Sequence, residues 1–120
     1  MNILSKRSNN KMNELTYSTM SEQELRQEVA NLRERARKAE QLGIVNEYAV
    51  YERKALMAEA YLVDLSTIIP GELYRLNGSP GEFFQVDYLK GRFAWGHRLG
   101  SERFEEALPV SILRPVKEGK

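Results

Sequence analysis

The spacing of apolar residues changes at Pro70-Gly71, and this change divides the chain into two kinds of structure. Before it, apolar residues recur every three or four positions, which is the period of an α-helix. After it, short runs rich in β-branched and aromatic residues alternate with glycine-containing turns, which predicts short strands. A chain of 120 residues with these two halves is expected to be an α+β protein.

Two helices are predicted before Pro70. Ser21 and Glu24 have the spacing of a capping box, and Gly43 suits the left-handed position that ends a helix. The second helix is predicted to begin with Asn46 as its N-cap. Because so short a turn joins them, the two helices are expected to pack antiparallel. Their apolar stripes are Leu25, Val29, Leu32, Ala36 and Ala39, then Ile44, Tyr48, Tyr51, Ala55, Ala58 and Leu62.

The second half predicts strands over 72–76, 82–89 and 92–99, with Phe84, Val86 and Tyr88 on one face of the second strand. A polar loop is expected over 100–106, and 108–113 predicts a 3₁₀ turn that leads into a last strand. Four or five short strands can close into a small SH3-like barrel. The predicted organisation is a flexible segment over 1–20, an antiparallel α-helical hairpin over 21–65, and an SH3-like β-barrel over 66–118 on which the hairpin packs.

Composition excludes several kinds of chemistry. The chain has no cysteine, which excludes disulfides, thiolate zinc sites and a cysteine nucleophile. It has one histidine, His97, whereas a structural zinc site needs four ligands. No apolar run approaches the ~20 residues that cross a bilayer, and no signal-peptide pattern follows Lys6 and Arg7. We therefore expect a non-enzymatic cytoplasmic protein with no cofactor, no metal and no membrane partner.

The third predicted strand carries the first candidate surface for a ligand or partner. Strand alternation puts Phe93, Trp95 and His97 on one face and the flanking arginines on the other. Exposed aromatic residues suit an extended ligand, and basic side chains beside them suit nucleic acid. The alternative is that Phe93 and Trp95 are barrel core. The candidate residues are Lys90, Arg92, Trp95, His97 and Arg98.

A second, basic surface is predicted on the helices, at Arg35, Lys38, Arg53 and Lys54. The alternative is a mixed solvated face, in which Glu22 pairs with Arg26 and Glu34 with Lys38. The net charge of only +1 lacks the positive excess that is typical of a nucleic-acid coat. Binding to a protein partner or self-association is therefore the leading hypothesis, and nucleic-acid binding through the basic and aromatic strand is the alternative.

Several stretches resemble the YfhH-like family of Bacillus and its relatives. The resemblance extends from about Tyr17 to Leu113. It implies an α-hairpin followed by an SH3-like barrel, and it carries the label of a transcriptional regulator. The similar stretches are Ala36-Arg37-Lys38-Ala39-Glu40-Gln41, Asn46-Glu47, Glu52-Arg53-Lys54, Ala60-Tyr61-Leu62, Pro70-Gly71-Glu72, Phe93-Ala94-Trp95-Gly96 and Glu105-Glu106-Ala107-Leu108-Pro109.

Overall fold

A computed structural model describes residues 16–100, 102 and 104–116. The chain divides into two compact units, Met1–Leu62 and Val63–Lys120. The described helices of eight or more residues lie in the first unit and the strands in the second, so the α+β class is confirmed. Among the described helices, none combines the length and the apolarity that a membrane crossing requires.

The first unit contains a helical turn over 16–19 and two long helices, α1 (Glu22–Gln41) and α2 (Val45–Ala60). Of the segment predicted to be flexible, residues 1–15 lie outside the described residues. The predicted capping box is confirmed: the Ser21 hydroxyl accepts from the Glu24 amide at 3.1 Å, and the Glu24 carboxylate accepts from the Ser21 amide at 3.0 Å. This reciprocal pair starts α1 at the predicted position.

The end of α1 sets the start of α2. Gly43 has φ of 75°, as predicted, and the Ile44 amide donates to the Ala39 carbonyl at 2.9 Å, which is a Schellman turn. The N-cap of α2 is Ile44, with no side-chain capping bond, so the prediction of Asn46 as N-cap is wrong. The reason is that the Tyr48 amide already donates to the Ile44 carbonyl at 3.1 Å, which places Asn46 inside the first turn.

The two helices contact each other through small apolar residues and one arginine. Ala36 on α1 and Ala55 and Ala58 on α2 are fully buried. Beside them, Arg33 donates to the carboxylates of Glu52 and Glu59, each at 2.9 Å. All three of these charged side chains are about one-third exposed, with values of 38%, 33% and 35%. One cation on α1 therefore bridges two anions on α2.

The second unit contains one antiparallel sheet. Its strands are β1 (Leu73–Leu76), β2 (Phe83–Lys90), β3 (Phe93–Arg98), β4 (Glu106–Pro109) and β5 (Leu113–Pro115), in the order β4-β3-β2-β1-β5. A 3₁₀ turn over Leu65–Thr67 precedes the sheet. Strand β4 occupies residues that the sequence assigned to a loop and a turn. The buried residues of this unit are Ile68, Tyr74, Leu76, Phe84, Val86, Ala94, His97, Val110, Ser111 and Leu113.

The connection between the two edge strands requires a strongly curved sheet. In a flat sheet of this order β4 and β5 would lie about 19 Å apart, four strand spacings. Only the 3₁₀ turn Val110–Ile112 joins them, and the four Cα steps from Pro109 to Leu113 span at most about 14 Å. The sheet is not closed into a barrel, because no ladder among the described residues joins β4 to β5. The predicted SH3-like barrel is therefore not confirmed.

A β-bulge at Asp87 changes the faces of β2. The ladder pairs Val86 with Gly96 and Tyr88 with Trp95, so Asp87 is an extra residue without a partner. Phe84 and Val86 are fully buried, whereas Tyr88 is 43% exposed. The prediction that Tyr88 shares the face of Phe84 and Val86 is wrong, because the bulge turns it to the opposite face.

Gly96 lies opposite the bulge and has no room for a side chain. A Cβ atom at this position would lie 1.8 Å from the backbone carbonyl oxygen of Gln85. The close approach of the two strands at the bulge therefore requires glycine.

We expect Gly96→Ala to lower the free energy of unfolding by about 2–4 kcal/mol, because a backbone carbonyl must move to admit the methyl group. The measurement is urea-induced unfolding followed by the fluorescence of Trp95. Gly100→Ala is the matched control, since it has positive φ but open space around the new Cβ, and it should cost about 1 kcal/mol or less. Equal losses in the two variants would show that the close approach does not matter.

We expect Arg33→Met to lower the free energy of unfolding by about 1 kcal/mol, because two carboxylates lose their shared cation. The control is Arg26→Met, which removes only a solvated pair with Glu22 whose side chains are 65% and 70% exposed. That change should cost less than about 0.5 kcal/mol. Urea unfolding followed by helical circular dichroism tests both, and a cost for Arg33→Met no larger than that of the control contradicts the prediction.

Candidate functional site

The bulge brings Tyr88 against Trp95 on the exposed face of the sheet. Their rings are parallel within 2°, with centroids 6.0 Å apart. Trp95 is half-buried, as is Phe93, whereas Ala94 between them is fully buried. The core side of β3 is therefore the side of Ala94. The interpretation of Phe93 and Trp95 as core residues is not confirmed.

A cavity of 220 Å³ adjoins this stack and is lined by Asp87, Gly96, His97, Phe104 and Glu105. We call it the acidic cavity, because two of its lining residues carry carboxylates. Phe104 is 62% exposed and His97 only 8%. The Glu105 carboxylate accepts a hydrogen bond from the Tyr88 hydroxyl, which joins the cavity to the aromatic stack.

Electrostatics at the edge of this cavity favour the protonated phenol. Partial desolvation raises the pKa of Tyr88 above its ordinary value, and the negative charge of Glu105, its hydrogen-bond acceptor, raises it further. The charge of Asp87 acts in the same direction. Tyr88 therefore remains a hydrogen-bond donor to Glu105 at neutral pH.

The two arginines of the predicted surface are engaged by the second unit itself. Arg98 donates from Nε to both oxygens of Glu106, at 3.2 and 3.1 Å, and also donates to the carboxylate of Glu82. The hydrogen bonds that Arg98 donates to Glu106 raise the pKa of Arg98 above its ordinary value. Arg92 donates to the backbone carbonyl of Val63 at 2.8 Å. These contacts indicate structural roles for both side chains.

Lys90 is exposed at the end of β2, next to the turn into β3, and His97 faces the acidic cavity. The structure thus brings Trp95 and His97 to one face, together with Tyr88. It does not bring the arginines to that face as free cations. The predicted surface is therefore divided into an aromatic and acidic side and a side of paired arginines.

The basic helical surface is less continuous than the sequence suggested. Arg35 lies over the ring of Tyr51 on α2, with 5.9 Å from Cζ to the ring centroid. Lys38 and Arg53 are exposed and Lys54 is half-buried, and none of these three forms an ion pair with a residue that the structure describes. No contact in the described part of the chain joins the four cations into one cluster.

One of the two predicted solvated pairs on α1 is present. Glu22 pairs with Arg26 at 2.7 Å, as predicted. Glu34 pairs with Arg37 and not with Lys38, so that prediction is wrong. The bidentate guanidinium of Arg37, three residues from Glu34, makes two hydrogen bonds that a lysine ammonium cannot match in geometry.

Sequence reasoning missed the three residues that give the cavity its character: Asp87, Phe104 and Glu105. Two signals were available. An aspartate inside a strand has low β propensity, and a glycine inside the next strand often marks a bulge or a close approach. Only the register of the ladder shows that Asp87 and Gly96 belong to the same bulge.

Comparison with known proteins places the chain in a family. Residues 15–114 match the family described as "Protein of unknown function (DUF1811)". The chain belongs to this family. It is also 52% identical over 101 residues to the "Uncharacterized protein YfhH" of Bacillus subtilis (strain 168), a match that covers 84% of this chain and 96% of the relative. The resemblance identified from the sequence is confirmed, and the bulge and the acidic cavity lie within the residues that define this DUF1811 protein.

No group of three or more histidine, aspartate and glutamate side chains among the described residues is arranged to hold a metal ion. The nearest approach of two such groups in the cavity joins His97 Nδ1 to an oxygen of Asp87, at 3.7 Å. At that distance the two groups do not form a hydrogen bond.

We expect Glu105→Gln to lower the pKa of Tyr88, because the variant removes a negative charge that opposes ionisation of the phenol. The pKa should stay above its ordinary value, because partial desolvation, the largest cause of the shift, remains. The measurement is a pH titration of the tyrosine ring signals by NMR. A Tyr88→Phe sample assigns the signal among six tyrosines.

Glu102→Gln is the matched control for this titration, since Glu102 is an exposed carboxylate of the same loop. It should leave the pKa of Tyr88 unchanged. A pKa that does not fall in Glu105→Gln would contradict the hydrogen bond between the two residues.

Proposed function

We propose that this protein is a non-enzymatic interaction module that binds a protein partner through the face of its sheet that carries Tyr88 and Trp95. The observation that carries the proposal is the stack of these two rings, which the bulge turns to the surface next to the acidic cavity. Aromatic residues that keep part of their area exposed are enriched where proteins bind one another.

The proposed surface continues beyond the stack. Phe104, which lines the cavity, is 62% exposed, and Leu99, the residue after β3, is 45% exposed. Exposed apolar residues near one another favour a partner more than isolated ones do. The compartment proposed for this interaction is the cytoplasm, on the sequence grounds given above.

Self-association through the helices is a less favoured form of the same proposal. Three apolar residues on α2 and just after it, Leu56, Tyr61 and Val63, are half-buried and offer little exposed area to a second copy. The apolar side chains of the first unit with large exposed areas are instead Leu42 and Val45, both 74% exposed, and Val50, 48% exposed. These residues supply matched controls for a test of the sheet surface.

Nucleic-acid binding remains the second candidate function, and the exposed Lys90 and the cations of α1 and α2 favour it. It is less well supported, because Arg92 and Arg98 are engaged by Val63, Glu82 and Glu106. A phosphate would have to displace two carboxylates from Arg98. The role of a transcriptional regulator is part of this second proposal.

We also infer a finer description of the fold, an antiparallel α-hairpin and a partly rolled SH3-like barrel. The three-residue connection between α1 and α2, and the bonds from Arg33 to both Glu52 and Glu59, support the hairpin. The strand order, the bulge and the 3₁₀ turn before β5 support the barrel. A curved sheet of this kind presents its outer face as a convex surface for binding.

The proposal predicts that Tyr88→Ser abolishes capture of a partner protein. Affinity-tagged wild type and variants are incubated with an extract of the cells that produce the protein, and retained proteins are quantified by mass spectrometry. Loss of an aromatic hot spot costs about 2 kcal/mol, so the retained amount of the partner should fall roughly 30-fold. Val50→Ser is the matched control, since it removes a side chain of similar exposure from α2.

The outcomes separate the candidate functions. Retention that survives Tyr88→Ser but is lost in Val50→Ser assigns the interaction to the helices and contradicts the sheet surface. Labelled duplex DNA and single-stranded RNA are titrated in parallel at low and physiological salt. Salt-sensitive binding that weakens in Lys90→Ala would favour nucleic acid over a protein as the partner of this surface.

A further inference from the structure

His97 is the most informative residue of the acidic cavity. It is more than nine-tenths buried, with 8% of its surface exposed. It lines the cavity, yet no hydrogen bond joins its ring to any residue in the described part of the chain, and its nearest charged neighbour, Asp87, is 3.7 Å away. Buried polar side chains are normally hydrogen-bonded. The ring of His97 has no such partner among the described residues, and the cavity beside it has space for one.

The charges around that space specify the partner. The cavity is lined by the carboxylates of Asp87 and Glu105, and Glu105 accepts a hydrogen bond from Tyr88. A neutral imidazole also offers one acceptor nitrogen. The exposed ring of Phe104 provides an aromatic face at the same site. Three acceptors and one aromatic face complement a cation that carries several N–H donors.

The size of the cavity restricts that cation further. A volume of 220 Å³ is below the range of roughly 300–1,000 Å³ that is usual for small-molecule and cofactor sites. It suits a single amino-acid side chain. A lysine ammonium or an arginine guanidinium has the donors, the charge and the length to enter it.

We propose that the acidic cavity receives a lysine or arginine side chain from a basic segment of the partner protein. This inference rests on the proposed function and names the chemistry of its partner. The cation lies between Asp87 and Glu105, donates to His97, and contacts the ring of Phe104. The flanking residues of the segment lie over Tyr88 and Trp95.

The test uses the full chain and short blocked peptides in which one arginine or one lysine is flanked by glycines. Trp95 is the one tryptophan of the chain, and its stack with Tyr88 makes its fluorescence a reporter of the adjacent cavity. The uncharged controls are peptides with citrulline in place of arginine and norleucine in place of lysine. Ionic strength is kept constant throughout.

We expect saturable changes in fluorescence with the cationic peptides, with dissociation constants on the order of millimolar, because one side chain supplies little binding energy. The uncharged peptides should give no saturable change. Asp87→Asn and Glu105→Gln should each weaken binding about tenfold, the effect of losing one charge-assisted contact. Glu102→Gln, which alters an exposed carboxylate of the same loop, should bind as the wild type does.

Three results would overturn the inference: no saturable change with either cationic peptide, equal binding of citrulline and arginine peptides, or unchanged binding in both cavity variants. Asp87 is the bulge residue, so far-ultraviolet circular dichroism checks its fold, and Glu105→Gln provides an independent variant outside the ladder. A response that appears when the protein alone is concentrated would assign the site to a second copy and also contradict a separate partner.

Failure of this inference can be distinguished from failure of the proposed function. If the captured partner is lost in Tyr88→Ser but retained in Glu105→Gln and Asp87→Asn, the sheet surface binds a protein without a basic side chain in the cavity. If the peptides bind in the cavity but capture does not depend on Tyr88, the cation site exists and the proposed partner surface is wrong.

Discussion

The β-bulge at Asp87, with Gly96 opposite it, is the constraint on which the rest of the second unit depends. The extra residue in β2 reverses the faces of every residue that follows it, because side chains alternate along a strand. Without it, Tyr88 would continue the buried row of Phe84 and Val86. Glycine is required opposite the bulge, since a Cβ would meet the Gln85 carbonyl oxygen at 1.8 Å. The exposed stack and the acidic cavity both follow from this local arrangement.

The charged side chains of the second unit divide into those that stabilise the sheet and those that line the proposed binding site. Arg98 is neutralised by Glu82 and Glu106, and Arg92 is anchored on a backbone carbonyl. The carboxylate of Asp87 lies near His97, and that of Glu105 accepts a hydrogen bond from Tyr88. The side of the sheet around Trp95 is therefore aromatic and acidic, although the sequence of β3 itself is basic. This inversion of charge underlies the proposal of a basic partner segment.

In the first unit, arginines of α1 stabilise the helices, and Arg35 is the member of the predicted basic surface that is among them. Arg33 joins α1 to α2 through two carboxylates, Arg37 pairs with Glu34, and Arg35 lies over Tyr51. Guanidinium groups suit these roles because one planar group can serve two acceptors or an aromatic face. Lys38 and Arg53 remain exposed and form no ion pair with a residue that the structure describes.

The sequence by itself determined the elements: the capping box at Ser21, the glycine turn at Gly43, the two helices and most of the strands follow from local spacing and turn chemistry. It also identified the family, and it pointed to Trp95 and His97. Tertiary structure alone decided the face of Tyr88, the existence of β4, and the joining of Asp87 and Glu105 in one cavity. The physical reason is that these features depend on which residues face one another across a ladder. One extra residue in a strand reverses the faces without altering the pattern of residue types that the sequence presents.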